Sequence, residues 1–425
     1  MRGMVGECTT GVWVSSPPMG IEQSVAVALA VFVCGWVVFR RRRIDMFAIA
    51  VSSMVLYHLP LLTGWVLYPT EDRAGLFVQV SPGAFIAVSV YGAGLLSAMV
   101  VQDRNPNRPM WPCSPTLGIW VLLGITAAVA AWTLFKAAPV AIAGGEKAEV
   151  MAQAPYMSTV WNYLGRFAAV AAWLSKRRAA IVLAAAMLLA RLFLGFRSDL
   201  VIVVLAICVL EGMARPADRL LLTRHGLALL ASAVAAVLVV VLVKPLVSVI
   251  RTLGDAEVMQ TVVQNKFGLE GLVYRSEPNA ISVLVNEAIA GGYSLAPWHH
   301  LHDLISFKAL GMDGPLDAGR TIAQGSFPWA DWGFGYSPIA EGWMVGGYLG
   351  VFVVSVVIGG LLIAMGALLR RSRQAPWRAA LALCIVLTGF YWFRSDFSNL
   401  ARGCAAFMLL GAVWSALPFK TVPRS

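Results

Sequence analysis

The residues best suited to chemistry begin with a repeated tetrapeptide. FRSD occurs at 196–199, in GFRSDL, and again at 393–396, in YWFRSDFSNL, each time between two apolar runs. Arginine offers a planar fork of donors and keeps its charge in almost any surroundings, which suits it to phosphate. Free backbone N–H groups at the start of the following helix add anion-binding capacity. Arg197 and Arg394 are therefore candidate ligands for a phosphate or pyrophosphate, with Arg251, Arg275 and Arg320 as further cations in the polar stretch between them. Asp199 and Asp396 stand two residues after each arginine and are placed to orient it. The plainer alternative is that each Arg only pairs with its neighbouring Asp and ties a turn.

A second candidate is Glu341, in SPIAEGWMVGGYLG, where a long polar segment passes into an unbroken apolar helix. An acid in a first helical turn is favoured by the helix dipole, yet an acid at the edge of an apolar span is also a functional candidate by default. Gly346, Gly347 and Gly350 beside it would leave a smooth surface for close helix packing. A third candidate is WHHLHD at 298–303. His299, His300 or His302 beside Asp303 has the make-up of a general base held by an acid, or of a solvated interfacial patch. Zinc spacing of the HExxH or H-x-E…C-x-x-C kind is absent. So are phosphate-binding GxxxxGK[ST], GxSxG and dinucleotide glycine patterns, so neither ATP hydrolysis nor a cofactor is expected.

The elements that must position these groups are membrane helices. The chain of 425 residues is 59% hydrophobic and 13% charged, with a mean hydropathy of +0.74. Soluble domains carry about 25% charged residues. Apolar runs near 24–39, 46–68, 78–101, 117–135, 158–175, 179–195, 200–214, 226–248, 340–369, 378–393 and 399–418 predict an all-α polytopic membrane protein of about eleven spans. The run at 24–39 ends in four arginines, a stop-transfer flank, so it reads as a retained first span and not a cleaved signal. Three parts follow: a helix bundle over 1–248, a large loop over 249–339, and C-terminal helices over 340–425.

Net charge is +11, but much of the excess sits in clusters beside apolar runs (Arg40–Arg43, Lys176–Arg178, Arg370–Arg373). That is the pattern of cytoplasmic flanks, and it argues against nucleic acid as a partner. Alternating from Arg40–Arg43 inside puts every other basic cluster inside as well. The N-terminus is then out, the C-terminus in, and both FRSD turns face outward with the large loop. Within that loop, 273–292 reads as an amphipathic helix with Val283, Leu284 and Ile289 on one face. Trp298, Trp329, Trp332 and Trp343 suit a headgroup belt. The six Cys are scattered without CxxC and indicate neither a metal site nor a disulfide framework.

Taken together, the outward GFRSDL turn, the long external loop, its closing SPIAEGWMVGGYLGVFVVSVVIGG and the C-terminal WFRSDFSNLARG resemble the bacterial oligosaccharide repeat-unit polymerases of the Wzy type, relatives of the O-antigen ligases. Ser337, Glu341, Gly347 and Gly350 match that family's loose S-x-x-x-E-x-x-x-x-x-G-x-x-G pattern after the large loop. The resemblance implies a GT-C-like bundle in the bacterial inner membrane. Such a bundle would polymerise undecaprenyl-pyrophosphate-linked repeat units at the periplasmic face, without cofactor or metal. It implies Arg197 and Arg394 on the pyrophosphate, with Arg275 and Arg320 as loop partners. Glu341 would be the base or an Arg-orienting acid, and His299 or His300 the second choice for the base. Membrane lipids, a chain-length regulator and a flippase of the same pathway are the implied partners.

Two rival functions compete with this one. A ligase would join glycan to another acceptor with the same groups. A lipid-linked oligosaccharide transporter would place ionisable groups mid-membrane and break helices in both halves. The span interiors read as nearly free of charge, with Arg191 and Lys244 near ends, which favours chemistry at one surface.

Overall fold

The computed structural model describes residues 45–70, 75–103, 118–142, 147–194, 196–214, 277–296, 318–329, 336–395 and 397–417, with isolated positions between 25 and 37 and at 231. These residues are mostly helical, and four of their helices are long and apolar enough to cross a membrane: Pro82–Gln102, Ile119–Val140, Pro338–Arg371 and Phe397–Ala416.

The organising element is α12 (Ala375–Gly389). Pro376 stands in its first turn, where a missing N–H costs nothing. Nearly all of its residues are buried, and a helix apolar all round belongs in the centre of a bundle. Around it pack α1 (Met46–Tyr57), α6 (Pro155–Ser175), α8 (Arg197–Ala214), α11 (Pro338–Arg371) and α13 (Phe397–Ala416). Outside these lie α3 (Pro82–Asp103) against α11, α4 (Ile119–Ile142) and the short α5 (Lys147–Ala152) against α6, and α7 (Arg178–Phe193) between α6 and α8. In lipid, apolar surface alone does not drive helices together, so small residues at the contacts matter more. At the α3–α11 seam, a Cβ on Gly359 would lie 2.2 Å from that of Ala98.

Two expectations change. The apolar run 46–68 is not one span: α1 gives way to a short α2 (Leu59–Leu62) and then to β1 (Trp65–Tyr68), which pairs antiparallel with β2 (Leu76–Gln79). Apolarity alone did not distinguish a helix from a buried strand here, and WVLY is rich in the aromatic and β-branched types that suit a strand. The fold is therefore not purely helical.

The second change concerns α11, which is broken rather than continuous. As one straight helix its 34 residues would run about 51 Å, far beyond a hydrocarbon core of about 30 Å. Gly346 and Gly347 leave helical geometry, and Gly347 takes φ +57° with ψ −143°, a conformation open essentially to glycine. The pieces on either side fold together: a Cβ on Gly350 would stand 2.0 Å from the Gly342 carbonyl oxygen. Along a straight helix those residues would be about 12 Å apart. The glycines expected to make a packing face instead make a reversal, and Glu341 lies on the short arm 338–345, ahead of the long apolar arm.

The part of the large loop that is described is integral to this end of the bundle. α9 (Glu277–Ala290) forms where an amphipathic helix was expected, with Val283, Leu284 and Ile289 buried. Its polar side is buried too. Asn279 grips the backbone of Leu67, accepting from its N–H at 2.9 Å and donating to its carbonyl at 2.8 Å, as a neighbouring strand would. Asn286 accepts from Ser81 N at 2.9 Å, and Glu287 accepts from Tyr68 Oη at 2.5 Å and from Ser326 Oγ, on α10 (Ala318–Ser326), at 2.9 Å.

Candidate active site

Five segments meet at one end of the bundle: the end of α1 with His58, the start of α8, the start of α9, the short arm of α11, and a 3-10 turn over Tyr391–Arg394 that continues α12. Because α12 is the hub, the turn at its end stands in the middle of that face, and Arg394 with it.

Arg394 is held from two sides. Its Nη2 lies 2.8 Å from Oε1 of Glu277, the first residue of α9, and its guanidinium also hydrogen-bonds the Tyr57 hydroxyl. Burial works to lower its affinity for its proton, but the Glu277 carboxylate and the Tyr57 contact outweigh burial and raise it above the ordinary value. Arg197 approaches from α8 and feels Glu277 and Arg394. Burial lowers its hold on its proton; Glu277 opposes that shift and the like charge of Arg394 adds to it. Arginines from two hairpins far apart in sequence are thus gathered about one carboxylate. Among the described residues, two guanidinium charges there stand against one acid.

Glu341 is nearly inaccessible, and both its oxygens are engaged. Oε2 accepts from Trp392 Nε1 and Oε1 from the backbone N–H of Phe397, each at 2.8 Å. It therefore clamps both ends of the turn that carries Arg394 and caps the start of α13. One helical turn earlier, Ser337 caps α11 by accepting from Ile339 N at 3.2 Å, and its hydroxyl lies 2.9 Å from Nε2 of the buried His58. The other ring nitrogen of His58 lies 2.8 Å from the Met54 carbonyl, which can only accept, so Nδ1 carries the proton. The Ser337–Glu341 pair is in this way a bracket between α1, α11 and the arginine turn.

Asp199 does not orient Arg197 in the manner its sequence position suggested. Its carboxylate turns inward, accepting from Arg166 Nε at 3.0 Å and Nη2 at 2.5 Å through Oδ1, and from Arg191 Nε through Oδ2. Arg191 Nη1 goes on to the Ser158 carbonyl at 3.0 Å. This buried triad locks α6, α7 and α8 together beneath Arg197. Between the triad and the arginine pair stands the Tyr391 ring, its centroid 5.9 Å from the Arg166 guanidinium carbon and 5.5 Å from that of Arg394.

Arg275, His299, His300 and Asp396 lie outside the described residues, as do Trp298 and Trp332; of Arg320 only the backbone, in α10, is described. Sequence reading missed Glu277, Tyr57 and Arg166. Arg166 could have been found, because a lone arginine in the middle of the apolar run 158–175 demands a buried partner. Glu277 had only the weak signal of an acid at a helix start.

A helical membrane protein with a cationic cluster built on its central helix is the class that this architecture defines. Residues 326–413 match the family model described as O-antigen polysaccharide polymerase Wzy. The matched stretch holds Ser337, Glu341, Trp392, Arg394 and Phe397, so it bears out the Wzy-type resemblance and supports an O-antigen polymerase. Arg197 and Glu277 lie outside it. No curated protein and no solved structure matches the chain.

Proposed function

We propose that the protein is a membrane glycosyltransferase that polymerises undecaprenyl-pyrophosphate-linked oligosaccharide repeat units into surface polysaccharide at the periplasmic face of the bacterial inner membrane. The observation that supports this is the gathering of Arg197 and Arg394 about Glu277. The donor glycan is already activated, because its anomeric carbon is joined to a diphosphate that leaves as a stabilised anion. The distal hydroxyl of a new repeat unit attacks that carbon, the carbon–oxygen bond to the diphosphate breaks, and the electron pair departs on a phosphate oxygen. Two fixed guanidinium groups stabilise the charge that grows there, with little reorganisation at the moment of reaction. In this reading Glu341 is the acid that orients the Arg394 turn, and the large loop lies outside with both arginine turns.

The test is a strain lacking the gene, restored with the intact chain. Surface glycan in the deletion strain should stop at one repeat unit, with long polymer returning on complementation. Full-length polymer in the deletion strain would refute the assignment. Loss of all glycan from the acceptor, single repeats included, would point to a ligase instead.

A further inference from the structure

We propose that Glu277 has two linked parts at this site: in the empty enzyme it is the counter-ion of the arginine pair, and once the donor diphosphate displaces it, it is the base that takes the acceptor's proton. This deepens the polymerase reading and rests on it.

The carboxylates near the arginines differ in how far they are already committed. Among the described residues, Glu341 has both oxygens committed to Trp392 and Phe397 and is almost fully buried. Asp199 is committed to Arg166 and Arg191, and Glu287 to Tyr68 and Ser326. Glu277 differs: its side chain is 38% exposed, against 20% for Arg394, so solvent and a ligand can reach it. It is also held firmly. The helix it opens is fixed through Asn279 to β1 and through Ser282 Oγ, which donates to the Tyr57 carbonyl at 3.2 Å. Tyr57 in turn bonds Arg394 with its hydroxyl. One residue thus ties the acid and the cation to a common frame.

In the empty site Oε1 of Glu277 is engaged by Arg394 Nη2 at 2.8 Å, so it is not available to an incoming hydroxyl. A diphosphate carries more charge than Glu277 and offers several acceptor oxygens to the same forks, so it wins the arginines. The exposed Glu277 carboxylate is then free of its Arg394 contact and open to accept from the acceptor hydroxyl. The acceptor O–H proton passes to the Glu277 carboxylate as the new glycosidic bond forms and the diphosphate leaves on Arg197 and Arg394. Because the base is released only when the donor has arrived, an empty site does not activate water.

The experiment compares the wild-type chain, Glu277→Gln and Arg394→Ala in nanodiscs. Affinity is measured for geranyl pyrophosphate, a short polyprenyl diphosphate, and elongation is measured on single-repeat glycolipid from the deletion strain. Glu277→Gln should bind the probe about tenfold more tightly, because its neutral amide competes less for the arginines, and elongate at least about a hundredfold more slowly. Tighter binding with undiminished elongation overturns the base. Unchanged or weaker binding overturns the counter-ion. Should Glu277→Gln fail to insert, Glu277→Asp serves: its probe affinity should stay within about threefold of wild type while elongation falls, since the shorter acid keeps the charge but not the reach. Elongation undiminished in that variant overturns the base. Probe binding no weaker in Arg394→Ala than in the wild-type chain removes the clamp itself, a failure distinct from those of Glu277.

Discussion

Glu341 accepts the backbone N–H of Phe397 at 2.8 Å, so an acid on one helix caps another and fixes the turn between Trp392 and Phe397. A glutamine there has one acceptor oxygen for two buried donors, which leaves one donor facing an NH2 group. Glu341→Gln should insert normally, lose about 1–3 kcal/mol of stability, and make little long polymer. Melting of the purified protein and the surface glycan ladder measure the two effects. A full ladder would reduce Glu341 to a dispensable cap.

Arg197→Ala and Arg394→Ala should each lower polymerisation by at least about a hundredfold, while single repeat units still reach the surface. Arg394→Lys should fall between wild type and alanine, because it keeps the charge and loses the fork. Normal chain length in both alanine variants would remove the clamp.

Asp199→Asn strips the shared anion from two buried arginines. The expected loss is about 3–5 kcal/mol, seen as a fall in the amount of folded protein in the membrane. Equal abundance of mutant and wild type would mean that the Arg166–Asp199–Arg191 triad does not hold the helices together.

Gly347→Ala forces a side chain into a conformation that glycine alone adopts easily, at about 1–3 kcal/mol. It should straighten or destabilise the reversal and displace Glu341 from the Arg394 turn, lowering polymer yield. Gly360, farther along the same helix where an added Cβ would meet nothing within 4 Å, is the control: Gly360→Ala should be neutral or slightly stabilising. Equal behaviour of the two variants would leave the reversal without a role.

Orientation can be read by labelling. β1, the partner of β2, packs on α9 at the arginine end, and Gln79 on β2 is exposed, as is Arg178 at the start of α7. Cysteines at 79 and 300 should react with an impermeant reagent from the periplasm, and one at 178 only after the membrane is opened. Reaction of the first two from the cytoplasm would invert the topology.

Much of this was legible in the sequence, because the signals are local. Long apolar runs flanked by arginine need no tertiary partner to announce membrane helices. FRSD twice, and Ser337 four residues before Glu341, are visible as spelling. The sequence could not tell which acid each arginine meets. Asp199 is two residues from Arg197, yet it turns to Arg166 and Arg191. Glu277 is distant in the chain from Arg394, yet lies 2.8 Å from it. A buried charge takes the partner that completes its desolvated surroundings, and only the packing of α6, α8, α9 and α12 decides which that is. The break at Gly347 has the same origin: the glycines permit both a smooth face and a reversal, and the packing of the short arm against α9 and the Arg394 turn selects the reversal.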